Sequence, residues 1–305
     1  MLRAIVTRMS LSLATELPEA APLEPGFEVR RPERVTAPFV FASPHSGRLY
    51  PPDMMAASVL DEAAIRRSED AFVDVLASAG PKFGAPLIAA RYARAYIDVN
   101  REPYELDQGM FADELPDFAQ GRTARVAAGL GSIARVVGEG QEIYHRKLTF
   151  AEARRRIEAV HRPYHGALAA LVEEARARFG FVILIDWHSM PSAAAAAGTR
   201  GRRGCDFVLG DRFGSACAPA VAGAVERELE AMGYSVARNA PYAGGHTTEF
   251  YGRPADGVHA LQIEINRALY LNERTLKRHG GFERLAHDIE RLVQGLIGAD
   301  WRKLA

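Results

Sequence analysis

The stretch Phe181-Val182-Ile183-Leu184-Ile185-Asp186-Trp187-His188-Ser189 decides the fold. Its first five residues are apolar and mostly β-branched, which predicts a strand buried on both faces. Polar residues follow at the carboxyl end, where open α/β sheets bind their ligands. Because imidazole is a common zinc ligand, His188 is a candidate metal ligand. Residues two apart on a strand share a face, so Asp186 is placed to orient the His188 ring.

A second candidate ligand follows another predicted strand. Residues 37–42 are apolar and run directly into Ser43-Pro44-His45-Ser46-Gly47. Pro44 and Gly47 favour a turn, which puts His45 on the loop that leaves the strand. One histidine at a strand end is commonly structural, but two at equivalent positions favour a shared metal site.

The third candidate ligand is a carboxylate on a predicted helix over residues 61–78, capped by Asp61. Glu69 falls on the apolar stripe of this helix, where an unpaired carboxylate is costly. Asp70 lies about 100° further round, on the polar face. The helical phase therefore favours Glu69 as the metal ligand and places Asp70 in solvent or behind the ligands. The alternative for Glu69 is a salt bridge to a buried arginine.

The fourth element is Glu264, near the end of the predicted strand over residues 258–265. Two histidines and a carboxylate that hold zinc, together with a free glutamate, are a working set for amide hydrolysis. The metal acidifies water, and the free glutamate moves the proton to the leaving amine. Arg94 has two open interpretations, which are polarisation of the scissile carbonyl and an ion pair with a strand-end carboxylate.

These residues resemble the N-formylglutamate amidohydrolases, a family of the zinc carboxypeptidase-like superfamily. The matching segments occur in family order from about residue 37 to 272: Pro44-His45-Ser46-Gly47, Ser68-Glu69-Asp70 with Val73-Asp74, Arg94 with 97–101, 162–165, 186–191, 239–245, 251–254 and 264–267. The resemblance implies one Zn²⁺ per chain, with His45, Glu69 and His188 in the ligand positions and Glu264 as the general base.

The wider resemblance to metallocarboxypeptidases implies a substrate-binding set. In those enzymes an adjacent Asn-Arg pair binds the terminal carboxylate of the substrate, and Asn100 and Arg101 match that pair; a Gly-Gly loop matches Gly244 and Gly245. Arginine suits the role because its planar fork binds a carboxylate with two hydrogen bonds. The sequence departs from the carboxypeptidase motif His-x-x-Glu, because Arg48 occupies the glutamate position. The segment 245–250 also differs from close formylglutamate hydrolases.

The remaining sequence predicts an α/β fold with a mixed, mostly parallel sheet flanked by helices on both faces. Residues 1–36 are expected to form a loosely ordered N-terminal arm and residues 37–305 a single catalytic domain. Thr149 and Glu152 form a capping box for a helix that is expected to break at Pro163, with a second helix to residue 179. Further helices are predicted over 213–232 and 272–296, and a mobile loop over 193–204.

Composition excludes several classes of function. The 38 acidic and 38 basic residues cancel, which gives no support to binding of nucleic acid or a membrane surface. No apolar run approaches the length of a membrane span, and the N-terminus lacks the features of a signal peptide. The chain has only two cysteines, Cys205 and Cys217, so a cytoplasmic protein without disulfides is expected. Nothing in the sequence indicates an oligomeric state.

The leading hypothesis is zinc-dependent hydrolysis of an N-formyl or other short N-acyl amino acid, a small-molecule substrate. The resemblance makes N-formyl-L-glutamate the first choice, with a role in amino-acid degradation. The alternatives are a carboxypeptidase, an N-acyl amino acid deacylase of another specificity, and a non-catalytic carboxylate-binding protein. The last alternative is disfavoured because an unused cluster of histidine and glutamate would cost stability.

Overall fold

The computed structural model describes residues 24–119, 121–197 and 204–304. The strands of this part of the chain are β1 Phe27–Arg30, β2 Phe39–Ser43, β3 Leu87–Ala90, β4 Val136–Val137, β5 Gln141–Glu142, β6 Val182–Met190, β7 Phe207–Gly210, β8 Val236–Arg238, β9 Val258–Asn266, β10 Leu271–Asn272 and β11 Lys277–Arg278. The α-helices are α1 Pro52–Ala57, α2 Glu62–Ile65, α3 Val73–Leu76, α4 Ala124–Ala127, α5 Phe150–Arg156, α6 Arg162–Phe179, α7 Ser192–Ala197, α8 Pro219–Ala231, α9 His246–Tyr251 and α10 Gly281–Gly298. The 3₁₀ helices include Arg66–Ser68, Ala77–Phe83, Gln108–Met110, Asp117–Ala119, Gly138–Gly140, Pro254–Asp256, Arg267–Leu269 and Arg302–Leu304.

A seven-stranded sheet forms the centre of the protein, in the order β1-β3-β2-β6-β9-β7-β8. The neighbours β3–β2, β2–β6, β6–β9 and β7–β8 are parallel, whereas β1–β3 and β7–β9 are antiparallel. The two longest strands, β6 and β9, lie side by side and are buried along their whole length. The prediction of a mixed, mostly parallel sheet is therefore confirmed.

Alternation along β6 builds a separate apolar core on each face of the sheet. Ile183, Ile185 and Trp187 face one way and pack in a core with α3, α8 and α10. Val182 and Leu184 face the other way and pack with α5 and α6. Helices therefore cover both faces, as predicted.

The register of β6 against β9 brings four polar side chains together. Asp186 lies opposite Gln262, and His188 lies opposite Glu264. Partners in a parallel pair point to the same face, and residues two apart share it. All four side chains therefore lie at the carboxyl end of one face. His188 is inside β6, which continues to Met190, rather than beyond its end.

The predicted continuous helix over residues 61–78 is wrong. Asp61 does cap its first turn, because the side chain accepts from the Ala64 N–H at 2.8 Å. The helix ends at Ile65, a 3₁₀ turn follows, and Glu69 is extended with φ −64° and ψ 144°. The Asp70 N–H donates to the His45 carbonyl (3.0 Å) instead of continuing the helical ladder. This long-range bond overrides the local helical pattern.

The helix break expected at Pro163 is also absent. The capping box is confirmed, since Thr149 Oγ1 accepts from the Glu152 N–H and Glu152 Oε2 accepts from the Thr149 N–H. A π-helical turn over Ile157–His161 then joins α5 directly to α6. Pro163 follows this π turn directly and lies within the continuous helix.

Other boundaries also differ from the predictions. Within the predicted N-terminal arm, Phe27–Arg30 forms β1 and pairs with β3 at the edge of the sheet; residues 1–23 lie outside the described residues. The predicted loop 193–204 contains α7, and residues 198–203 are likewise not described. The helices expected at 213 and 272 begin at Pro219 and Gly281, the latter after the β10–β11 hairpin.

Across the described ranges, no helix combines the length and the apolar character that crossing a bilayer requires.

Candidate active site

Three side chains could hold a metal ion at the carboxyl edge of the sheet. His45 on the loop after β2, Asp70 in the turn before α3, and His188 on β6 each offer one ligand atom, and these atoms lie within 4.8 Å of one another. Asp70 Oδ2 is 3.1 Å from His188 Nδ1 and 3.5 Å from His45 Nδ1. All three residues are buried. The two imidazoles therefore present the same nitrogen to one carboxylate oxygen.

Two more carboxylates hold the far side of the rings. His45 Nε2 donates to Asp98 Oδ1 at 2.6 Å, and His188 Nε2 lies 2.9 Å from Asp186 Oδ2. A carboxylate only accepts, so both contacts place a proton on Nε2, and Nδ1 is the ring nitrogen that faces Asp70 and could bind a metal ion. Among the described residues, His45 Nδ1 has no hydrogen-bond partner although it is buried. Histidine ligands of metals commonly have this carboxylate support, so the arrangement fits a metal ion.

The electrostatics of the cluster favour a positive charge between the ligands. Burial raises the pKa of Asp70, but the neighbouring imidazoles of His188 and His45 and the charge of Arg267 bring it well below its usual range. Burial lowers the pKa of His188, but Asp186 raises it well above the usual range. Arg267 Nη2 donates to Asp70 Oδ1 at 2.8 Å, which leaves Oδ2 for the cluster. The ionised carboxylates attract a cation to the imidazole nitrogens.

Glu69 does not join the histidines, contrary to the placement predicted from helical phase. Its Oε1 accepts from the Tyr50 hydroxyl at 2.6 Å and from Arg66 Nε at 3.0 Å. The salt bridge considered as an alternative is therefore present, although Arg66 is only partly buried. Asp70 takes the expected position because the chain leaves the helix between Ile65 and Asp70.

Glu264 has a distinct environment beside the cluster. Burial raises the pKa of Glu264 to about 7, and the charge of Asp70 also raises it, although His188, Arg94 and Arg267 oppose this. Its Oε1 accepts from Gln262 Nε2 at 2.8 Å. A buried carboxylate with a raised pKa suits the transfer of protons near neutral pH.

Both members of the predicted Asn-Arg pair line the cavity, and both also make hydrogen bonds within the protein. Asn100 Nδ2 donates to Asp186 Oδ2 (3.3 Å) and lies 3.1 Å from His188 Nε2, while Asn100 Oδ1 accepts from the Thr247 N–H (2.7 Å). The Asn100 side chain is thus engaged inside the protein. Arg101 donates from Nε and Nη1 to the backbone carbonyls of Leu130 and Asn100, and it also lines the cavity.

Two histidines of the helical segment support this pair. His161 Nε2 lies 2.9 Å from the carbonyl oxygen of Arg101, and His165 Nε2 lies 2.7 Å from that of Val99. A carbonyl only accepts, so both nitrogens donate. The two residues beside Asn100 are therefore tied to the helix that covers this face of the sheet.

Gly244 and Gly245 lie where a side chain would clash. Gly244 has φ +120°, and a Cβ there would lie 2.4 Å from Thr248 Oγ1. A Cβ on Gly245 would lie 2.6 Å from Asn100 Nδ2. The Gly245 N–H donates to Gln262 Oε1 at 2.7 Å, so the loop reaches the sheet edge only because these positions are glycine.

Arg94 forms an ion pair with a carboxylate, which was one of the two roles that the sequence left open for it. Its Nη2 donates to Asp98 Oδ2 at 2.7 Å, and the residue also lines the cavity. Asp98, Gln262 and Arg267 are the supporting residues that sequence reasoning missed. Asp98 lies two residues from Asn100, and Gln262 and Arg267 lie two and three residues from Glu264, so closeness to a predicted site residue was the available signal.

A cavity of about 680 Å³ opens over these groups. Its lining joins the metal candidates and Glu264 to a set of basic side chains: Arg67, Arg94, Arg101, Arg125, Arg212 and Arg267. The volume lies within the roughly 300–1,000 Å³ typical of small-molecule sites. A small anionic substrate therefore fits its size and charge.

Residues 37–271 match the model of one protein family, N-formylglutamate amidohydrolase. The chain belongs to this family. The match spans the metal candidates and Glu264, and it confirms the resemblance found in the motifs.

Individual relatives agree with this assignment. The N-formylglutamate deformylase of Pseudomonas putida is 30% identical over 248 residues, which cover 77% of this chain and 82% of that protein. The Pseudomonas aeruginosa deformylase is 31% identical over 250 residues, which cover 81% and 87%. The crystal structure of an N-formylglutamate amidohydrolase from Ralstonia eutropha JMP134 has 41% identity and a TM-score of 0.84, over 88% of this chain and 96% of that one. These relatives place the chain among the amidohydrolases.

Proposed function

We propose that this amidohydrolase removes the formyl group from N-formyl-L-glutamate, with one zinc ion per chain, to give L-glutamate and formate. The observation that supports it most directly is the cluster of His45, Asp70 and His188 beside a buried glutamate with a raised pKa. The family relatives act on N-formylglutamate according to their names.

The donor set suits zinc. Two imidazole nitrogens and one carboxylate oxygen are the ligand types of catalytic zinc sites, which keep a further position open. Zinc bound there supplies Lewis-acid polarisation of the amide carbonyl and acidifies water. Asp98 and Asp186 keep each Nδ1 lone pair aimed at the site, and Arg267 holds Asp70 in place.

The protein's own groups divide the remaining work. Glu264 accepts a proton from the attacking water and delivers it to the leaving nitrogen, as its raised pKa allows. Gln262 fixes the Glu264 carboxylate by donating to it. Arg94 lies in the cavity wall beside Asp98, where its charge can stabilise the developing oxyanion. Arg101 binds the α-carboxylate with the part of its guanidinium that the backbone carbonyls leave unused.

The proposal includes the cytoplasm as the site of action. Cys205 and Cys217 are both free and buried, which suits a reducing compartment.

Formate release tests the proposal directly. Purified protein loaded with zinc is expected to release one formate per N-formyl-L-glutamate, and chelation followed by zinc addition should abolish and restore the activity. No formate release by the metal-loaded protein would refute the proposed substrate.

The α-carboxylate is expected to be essential for turnover. Amidation of the α-carboxylate should abolish hydrolysis, and Arg101→Lys should lower kcat/KM because an ammonium group cannot reproduce the guanidinium fork. Steady-state kinetics check both, with Arg154→Lys on the exposed surface of α5 as the control. Normal turnover of the α-amide would show that Arg101 does not bind this group.

A further inference from the structure

We propose that Arg125 binds a second carboxylate, that of the substrate's side chain, and so makes the cavity selective for N-acyl derivatives of acidic amino acids. This inference rests on the proposed function, because it assigns the residue that recognises the side chain of the same substrate.

The arginines of the cavity differ in their partners. Ion pairs with N–O distances of 2.7–3.0 Å join Arg94 to Asp98, Arg267 to Asp70, and Arg212 to Glu249. Arg101 donates to backbone carbonyls and forms no ion pair among the described residues. For Arg125, no hydrogen bond or ion pair of its guanidinium occurs in the part of the chain that the structure describes.

Local structure holds Arg125 close to Arg101. Arg125 lies on α4, which Thr123 caps by accepting from the Val126 N–H at 3.2 Å. The Arg125 carbonyl accepts from the Leu130 N–H (2.8 Å), and the Leu130 carbonyl accepts from Arg101 Nε (3.0 Å). One short chain of hydrogen bonds thus positions both arginines in the same wall.

Two guanidinium groups without carboxylate partners repel each other when they share a half-buried wall. Burial lowers the pKa of Arg101, and the charges of Arg94 and Arg125 lower it further, although Asp98 opposes this. An anion with two carboxylates relieves that repulsion at both positions. A substrate with an α-carboxylate at Arg101 and a side-chain carboxylate at Arg125 supplies both charges.

The test compares two substrates that differ only in side-chain charge, N-formyl-L-glutamate and N-formyl-L-glutamine. Arg125→Met removes the charge but keeps an apolar chain. We expect kcat/KM for the glutamate derivative to fall by about 10²–10³-fold, mainly through KM, because one partner of a charge pair is lost. The glutamine derivative should change by less than about threefold. For the glutamate derivative, kcat/KM of Arg125→Lys should lie between the values of Arg125→Met and the native enzyme. Arg154→Met should have the native kcat/KM.

Three results would overturn the assignment. Equal losses for both substrates in Arg125→Met would show that the residue supports the fold or a shared part of the substrate. Equal native rates for the two substrates would remove the selectivity, while leaving the deformylase proposal intact. Unchanged kinetics for the glutamate derivative would show that Arg125 does not touch the side chain.

Binding of glutarate keeps the inference separate from catalysis. Glutarate carries both carboxylates but has no amide to hydrolyse. Calorimetry should show that glutarate binds to the native protein and binds about 10²-fold more weakly to Arg125→Met. Butyrate, which has one carboxylate, should bind weakly to both proteins. If N-formyl-L-glutamate is not hydrolysed but glutarate binding depends on Arg125, the proposed function fails and the dicarboxylate site stands. If glutarate binds equally well to the native protein and to Arg125→Met, the proposed site is refuted.

Discussion

Replacing Glu264 with glutamine is expected to slow hydrolysis by about 10²–10⁴-fold while leaving the metal content unchanged. Glutamine has the same shape, and its amide oxygen can still accept from Gln262, but it cannot take a proton. Burial raises the pKa of Glu264 to about 7, so the native carboxylate is poised to exchange a proton near neutral pH. Formate-release kinetics and metal analysis on the same preparation check both parts of this prediction.

The control for this variant is Glu283→Gln on the exposed surface of α10. It removes the same charge from a helix that packs on the face of the sheet opposite to Glu264. The two possible failures have different meanings. A Glu264→Gln enzyme with native turnover would exclude Glu264 as the general base. A Glu264→Gln protein that has lost its metal would instead make Glu264 a ligand.

Asp70→Ala is expected to lose most of the bound metal, and with it the activity. Asp70 Oδ2 faces Nδ1 of both His45 and His188, so its removal leaves only the two imidazoles to hold the ion. Metal analysis after dialysis should fall from about one zinc ion per chain in the native protein to a small fraction. Because Asp70 also binds Arg267, the fold of the variant must be checked separately. Circular dichroism should show that it remains folded. His188→Ala should lose the metal in the same way.

Glu69→Ala is the matched control, because it removes the adjacent carboxylate. It breaks the contacts to Tyr50 and Arg66, so we expect a loss of about 1–3 kcal/mol in the free energy of unfolding. The metal should remain. Retention of metal by Asp70→Ala together with its loss from Glu69→Ala would restore the assignment that helical phase predicted from the sequence.

Local patterns predicted much of the fold. The apolar runs before His45 and around Ile183 are strands, and the capping box at Thr149 starts a helix. Such patterns succeed because alternation and capping depend on residues close together in the chain. The parallel strands then bring their carboxyl ends to one edge, so residues predicted separately, among them His188 and Glu264, meet in one cavity.

The predictions failed where a distant residue decided the backbone. The π-helical turn that carries the chain past Pro163 ends at His161, whose ring donates to the Arg101 carbonyl. Asn100 lines the cavity, but its amide also bonds to Asp186 and to the Thr247 N–H, two contacts that the sequence did not indicate. Neither contact leaves a periodic signal in the sequence.

The sequence by itself predicted the family, the sheet, and the two histidines and the glutamate of the candidate site, because each depends on residue type and short-range order. Only the tertiary structure shows that Asp70, and not Glu69, lies beside the two histidines. The two carboxylates are adjacent, and the helical pattern around them favours Glu69. The hydrogen bond from the Asp70 N–H to the His45 carbonyl turns the chain out of the helix and aims Asp70 at the histidines. A bond between loops of different strands and helices depends on how the sheet assembles, and no local pattern contains it.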